Sequence, residues 1–168
     1  ELFVVEVASV DFGLSTLHVV GKRALVVVSR GTISLSGGVI DVSADFGLAG
    51  PGGASDLCDA SRNGGRDDLT STGGSGGGGG GGQGGGGPGA NNLVVVGGAR
   101  LDGDPRTGPL AGGCSGGASG NGGSAGPDIG RGLGGGAVQL SAAGALTIAG
   151  TIAARGSGGG GGAAQRRG

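Results

Sequence analysis

One stretch of this chain is written twice. Residues 24–37, ALVVVSRGTISLSG, align without a gap to residues 137–150, AVQLSAAGALTIAG, so that Gly144 answers Gly31 and Gly150 answers Gly37, each 113 residues on. Beyond them, residues 39–42 answer residues 151–154 at an offset of 112, Gly38 being the extra residue. Each copy holds three short apolar runs separated by corners of one to three residues, and a glycine run follows each. Self-similarity over such a distance marks a solenoid, because one repeat cannot bury its apolar face alone and needs another stacked on it.

The runs have strand grammar. Residues 2–7, 17–20, 25–28, 32–35 and 39–42 are predicted strands, punctuated by Gly21, Gly31, Gly37 and Gly38. Within residues 32–36 the alternation is strict, with Ile33 and Leu35 on one face and hydroxyls on the other. Three strands with glycine corners describe one coil of a parallel β-helix. Its interior is expected to hold Leu25, Val27, Ile33, Leu35, Ile40 and Val42 in one coil, and Val138, Leu140, Leu146, Ile148 and Ile152 in the other. The predicted fold class is all-β, a parallel β-helix-like stack of short strands carrying long glycine-rich insertions. The alternative is an antiparallel β-sandwich that joins the same strands by hairpins.

This reading divides the chain into six parts. Residues 1–46 form an N-terminal strand region, 47–90 a glycine-rich insertion with Cys58, and 91–97 a single strand. Residues 98–136 form a second glycine-rich insertion with Cys114, 137–155 the second strand repeat, and 156–168 a glycine-rich tail. Beginning at Glu1 with no Met and no leader, the chain reads as a processed product or a piece of something longer.

Composition narrows the alternatives. Glycine supplies 51 of 168 residues, and Phe3, Phe12 and Phe46 are the whole aromatic complement. Aromatic side chains, at roughly 150–250 Å² each, usually dominate core burial, so an ordinary globular core lacks material. Collagen requires strict Gly-X-Y spacing and abundant proline; this chain has irregular spacing and five prolines. Wholesale disorder favours low hydrophobicity and high net charge, whereas 35% of these residues are hydrophobic and the net charge is −1. The long tracts, residues 73–87, 112–123 and 156–162, have a specific ordered option. In polyglycine II the N–H and C=O groups point sideways, and neighbouring helices bundle by exchanging N–H···O and Cα–H···O bonds. A flexible linker is the other option.

Charged residues are 14% of the chain and nearly balanced, and stacking aromatics are scarce, so no nucleic-acid footprint is expected. Apolar runs of four or five residues fall far short of a membrane span. Cys58 and Cys114 both lie in glycine-rich loops. They suit a single disulfide in an oxidising compartment, with two free thiols as the other possibility.

Motifs with catalytic overtones are weak. Gly-x-Ser-x-Gly occurs at residues 73–77, 113–117 and 122–126, as chance dictates at this glycine content, and His18 is the only histidine. His18 reads as a strand-face residue. Gly-x-Gly-x-x-Gly matches lack a flanking helix and a P-loop lysine. Asp102, Asp104 and Asp128 could offer oxygen to calcium, but acids in turns are usually turn formers. Asp67 and Asp68 beside Arg62 and Arg66 read as a self-neutralising loop. No catalytic, cofactor-binding or metal-binding residue is assigned, no cofactor is implied, and the chain is not read as an enzyme.

Residues 33–44 (ISLSGGVIDVSA), 109–117 (PLAGGCSGG), 134–142 (GGGAVQLSA) and 146–154 (LTIAGTIAA) together resemble the large glycine-rich secreted or surface-anchored proteins of myxobacteria and related bacteria. The resemblance spans roughly residues 17–162. It implies export, a right-handed parallel β-helix and an envelope role, and it carries no catalytic residues.

The sequence therefore points to an extracellular or surface scaffold, adhesin-like or a filament or sheath subunit, acting through self-association or through other surface proteins or polysaccharide. An ice- or flat-surface-binding protein is the alternative, for which Thr32, Thr147 and Thr151 would be the start of a rank. A polysaccharide-acting β-helix is a third reading, in which Asp41 and Asp45 would need acidic company.

Overall fold

The apolar runs find their partners across the chain rather than next door. The computed structural model describes residues 1–45, 47–53, 58, 87–88, 94–95, 110–116 and 132–157, all of it strand or irregular backbone. In chain order its strands are β1 (Leu2–Val7), β2 (Val10–Asp11), β3 (Thr16–His18), β4 (Ala24–Ser29), β5 (Ile33–Leu35), β6 (Val39–Asp41), β7 (Gly87–Pro88), β8 (Val94–Val95), β9 (Val138–Ala142), β10 (Leu146–Ile148) and β11 (Thr151–Ala153). Nine of them make three three-stranded sheets, β1-β4-β9, β2-β5-β10 and β3-β6-β11, and every pairing among these nine is parallel. That overturns the hairpin-joined sandwich.

Each sheet takes one strand from each of three successive passes of the chain. The register between the second and third passes reproduces the sequence repeat: Leu25 lies opposite Val138 and Ile33 opposite Leu146, 113 residues apart, while Ile40 lies opposite Ile152 at 112. Ahead of these stands a pass that the repeat did not reveal. Leu2 pairs with Ala24, Val10 with Ile33 and Thr16 with Val39, a spacing of 22 or 23 residues. Three passes therefore pair where the repeat pointed to two, and the strand expected at residues 17–20 is placed at Thr16–His18.

Alternation along the strands sorts side chains into two sets. Ile33, Leu35, Ile40 and Val42 in the second pass have no exposed surface, and Leu25 and Val27 are also buried. Val5, Val7, Val10, Phe12 and Val19 pack on this row from the first pass, as do Val138 and Leu140 from the third. Burying an aliphatic side chain of this size contributes about 1.5–3 kcal/mol, so the second pass is the centre of stability. Leu146, Ile148 and Ile152 were expected in the interior. They lie in register with the buried row but are 45%, 49% and 39% exposed, because the third pass is the outer edge of all three sheets.

Corners are stapled by side chains that sequence reading passed over. Ser29, almost fully buried, places its Oγ 3.1 Å from the Ala8 carbonyl and 3.2 Å from that of Thr32, and accepts a hydrogen bond from the Gly31 N–H. Between β3 and β4 the chain turns through Gly21 at φ +124°, a conformation that side chains with Cβ rarely adopt.

The same corner one pass later is where the long excursion begins and ends. The chain leaves after Val42 and returns at Gly136, and the Gly136 N–H donates to the Val42 carbonyl at 2.8 Å. Within the excursion, β8 falls in the expected lone strand but pairs antiparallel with Gly87–Pro88.

Candidate functional site

Three surfaces follow from this arrangement: the outward faces of the sheets, a layer of glycine backbone at one corner, and the two outer edges of the stack.

The outward side chains stack in mixed ranks. His18 lies opposite Asp41, with Nδ1 3.6 Å from Oδ2. Hydrogen bonds from Ser43, including its backbone N–H at 2.9 Å, hold the Asp41 carboxyl below its ordinary value of 3.8, and His18 adds to the effect. Glu6 pairs with Arg30, whose Nε approaches to 2.8 Å. Asp11 accepts from the Gly13 N–H at 2.9 Å. Glu6, Asp11 and Asp41 are the carboxylates borne by these strands, and each stands on a different sheet. Among the described residues no three His, Cys, Asp or Glu side chains gather as a metal site. Thr147 lies opposite Ser34, and Thr151 opposite Val39, so the threonines alternate with other residues across the sheets.

The glycine layer is built from four backbone segments with almost nothing between them. Gly50 N–H donates to Gly134 C=O at 3.0 Å, Gly112 to Gly52 at 2.9 Å, Gly113 to Gly135 at 2.9 Å and Gly116 to Gly132 at 2.8 Å, while Ser157 donates to Leu133 at 2.9 Å. A Cβ on Gly134 would fall onto the carbonyl of Gly113, and one on Gly135 onto that of Ala154. Only hydrogen can occupy those positions. The layer is joined to the stack through Val42, Ala24 and Pro51, against which Gly136 and Gly52 sit. Of the long tracts singled out in the sequence, residues 112–116 and 156–157 are described and belong to this layer; residues 73–86, 117–123 and 158–162 lie outside the described residues.

Cys58 and Cys114 are joined by a disulfide across a sequence separation of 56 residues, and Cys114 is buried in the layer. The bridge takes the first of the two options left open by their placement in loops. Of the three Gly-x-Ser-x-Gly matches only that containing Ser115 can be placed, and Ser115 is buried. The other two matches, the Asp102, Asp104 and Asp128 set and the Asp67–Asp68 loop lie outside the described residues. Among the described residues no helix is long and apolar enough to cross a membrane.

The large apolar side chains exposed among the described residues gather at the edges and corners. Phe3, Val4 and Leu17 are exposed on the first pass, Leu146, Ile148 and Ile152 on the third, and Leu14, Val20 and Leu48 at the corners. The Arg23 guanidinium lies over the Phe3 ring at 5.6 Å, partly covering it.

No family model, curated protein or solved structure matches this chain.

Proposed function

We propose that the chain is an extracellular structural scaffold, in which the three parallel sheets are the walls of a short β-helix and the glycine segments a polyglycine II-type bundle held at one corner. The observation that carries the reading is the register: residues 22 or 23 apart, then 112 or 113 apart, meet in the same three sheets around one apolar row. A wall of parallel backbone hydrogen bonds is stiff and needs little side-chain chemistry, which suits a mechanical or adhesive role at the cell surface. The disulfide fits an oxidising compartment, and the resemblance to glycine-rich bacterial surface proteins points the same way. Strand-borne acids on three separate sheets do not form the paired carboxylates that glycoside hydrolysis uses, and we read the chain as non-enzymatic.

Immunogold labelling of intact producing cells tests this function. Label on the envelope or in shed material is the expected result; label confined to the cytoplasm overturns it. Far-UV circular dichroism tests the architecture separately, with strand and no helix expected.

A further inference from the structure

We propose that the partner of the exposed third pass is the first pass of a second copy of this chain, stacked head to tail so that the sheets continue across the boundary. The proposal rests on the β-helical reading above.

The two outer edges are complementary because each already pairs with the second pass. Val27 lies opposite Val5 on one side and Leu140 on the other, and Ile40 lies opposite Leu17 and Ile152. Carrying that register into the next copy sets Leu140 against Val5, Ile152 against Leu17, and Ile148 beside Phe12. It restores cover to the aliphatic row exposed on the third pass. The outward ranks are compatible too. Glu6 would face Ser141 and Asp11 would face Thr147, so no like charges oppose one another.

The third-pass strands themselves also lack blunting residues. Edge strands are generally blunted by lysine, proline or other charges, yet β9, β10 and β11 read Val-Gln-Leu-Ser-Ala, Leu-Thr-Ile and Thr-Ile-Ala, without a charge or a proline. Strand polarity then selects the mode. Head-to-tail stacking keeps every new pair parallel, as in the chain itself, whereas joining two like edges would make the pairs antiparallel. A head-to-tail contact leaves a free edge at each end and so grows into a filament. Three passes at about 4.7–4.8 Å per strand spacing give an axial repeat of about 14 Å per copy.

The test uses the full chain and two variants altered only at exposed positions. Leu146→Lys with Ile148→Lys blocks the third-pass edge, and Phe3→Lys with Leu17→Lys blocks the first. Sedimentation velocity is expected to show wild-type mass rising with concentration, each variant alone monomeric, and an equimolar mixture of the two forming a dimer. Wild type that stays monomeric at every concentration, a third-pass variant that still associates alone, or a mixture that yields no dimer would overturn the proposal. Circular dichroism of all three proteins separates the two readings: retained strand content with no association sinks the stacking alone, while loss of strand signal in the wild type sinks the β-helix beneath it.

Discussion

His18 Nδ1 lies 3.6 Å from Asp41 Oδ2, although the two residues are a full pass of the chain apart. The contact exists because the register of β3 on β6 sets the two side chains on one rung. Asp41 also accepts from the Ser43 backbone N–H, so its charged form is favoured in the folded chain.

Replacing Asp41 with Asn should therefore destabilise the protein only where the carboxylate is ionised. A carboxyl whose value is lowered by folding adds stability that is complete above its ordinary 3.8 and is lost as pH falls through the folded value. The site is partly open to solvent, so the deficit at pH 7 should be at most about 1 kcal/mol. Urea unfolding of both proteins at pH 7 and pH 2.5 checks this. A gap of the same size at both pH values would exclude the linkage.

The second pass should be far less forgiving than the third. Ile33→Ala or Ile40→Ala removes a side chain with no exposed surface and should cost about 2–5 kcal/mol. Ile148→Ala, at an open edge, should cost about 1 kcal/mol or less in dilute solution. Equal costs in denaturant titrations would mean that the apolar row is not centred on the second pass.

Two facing glycines should respond very unequally to a single methyl group. Gly134→Ala drives Cβ into the Gly113 backbone and should destabilise by about 1–3 kcal/mol. Gly113→Ala meets nothing closer than 3.6 Å and should be within about 0.5 kcal/mol of wild type. Thermal unfolding of the two variants decides whether the layer is packed backbone to backbone.

Reducing the Cys58–Cys114 bridge, or replacing both cysteines with serine, releases a constraint on a loop of 56 residues. In the chain-entropy model that is worth about 4 kcal/mol. A lowered urea midpoint is expected, and an unchanged midpoint would mean that the bridge does not limit the unfolded chain.

The excursion should be removable. Val19 stands to β3 as Val42 does to β6, each donating its N–H to the next pass, and Ala137 follows the corner as Ala24 does. Replacing residues 43–136 by a copy of residues 20–23 should leave three stacked passes with unchanged strand content by circular dichroism. Loss of that signal would show that the glycine layer is required for the stack.

Much of this was legible because the second and third passes share residue types as well as pattern. The offsets of 113 and 112 in the sequence are the registers of β4 on β9 and of β6 on β11. The first pass escaped because its likeness to the second lies only in alternation: Phe3, Val5, Val10 and Leu17 answer Leu25, Val27, Ile33 and Ile40, with scant identity and a corner that shifts the spacing from 22 to 23. Two-residue β2, whose Asp11 faces outward, offered too short a signal to register as a strand. The glycine segments carried no side-chain pattern at all, so their length suggested a bundle while their partners could not be assigned. Cys58 and Cys114 supplied the single long-range hint in that region, and it pointed to a contact that is present.

Where backbone fills the place a Cβ would take, as at Gly134 and Gly135, every change of amino acid adds at least a methyl group, so substitution is poorly tolerated. Register there is another matter, since a run of glycines has no alternating faces to keep in phase and slides by one residue at small cost. Such segments can gain or lose whole glycines more readily than they can exchange one for anything else. Variation in this layer is therefore channelled into length, while the stacked passes, whose side chains must alternate, vary by replacement at fixed length.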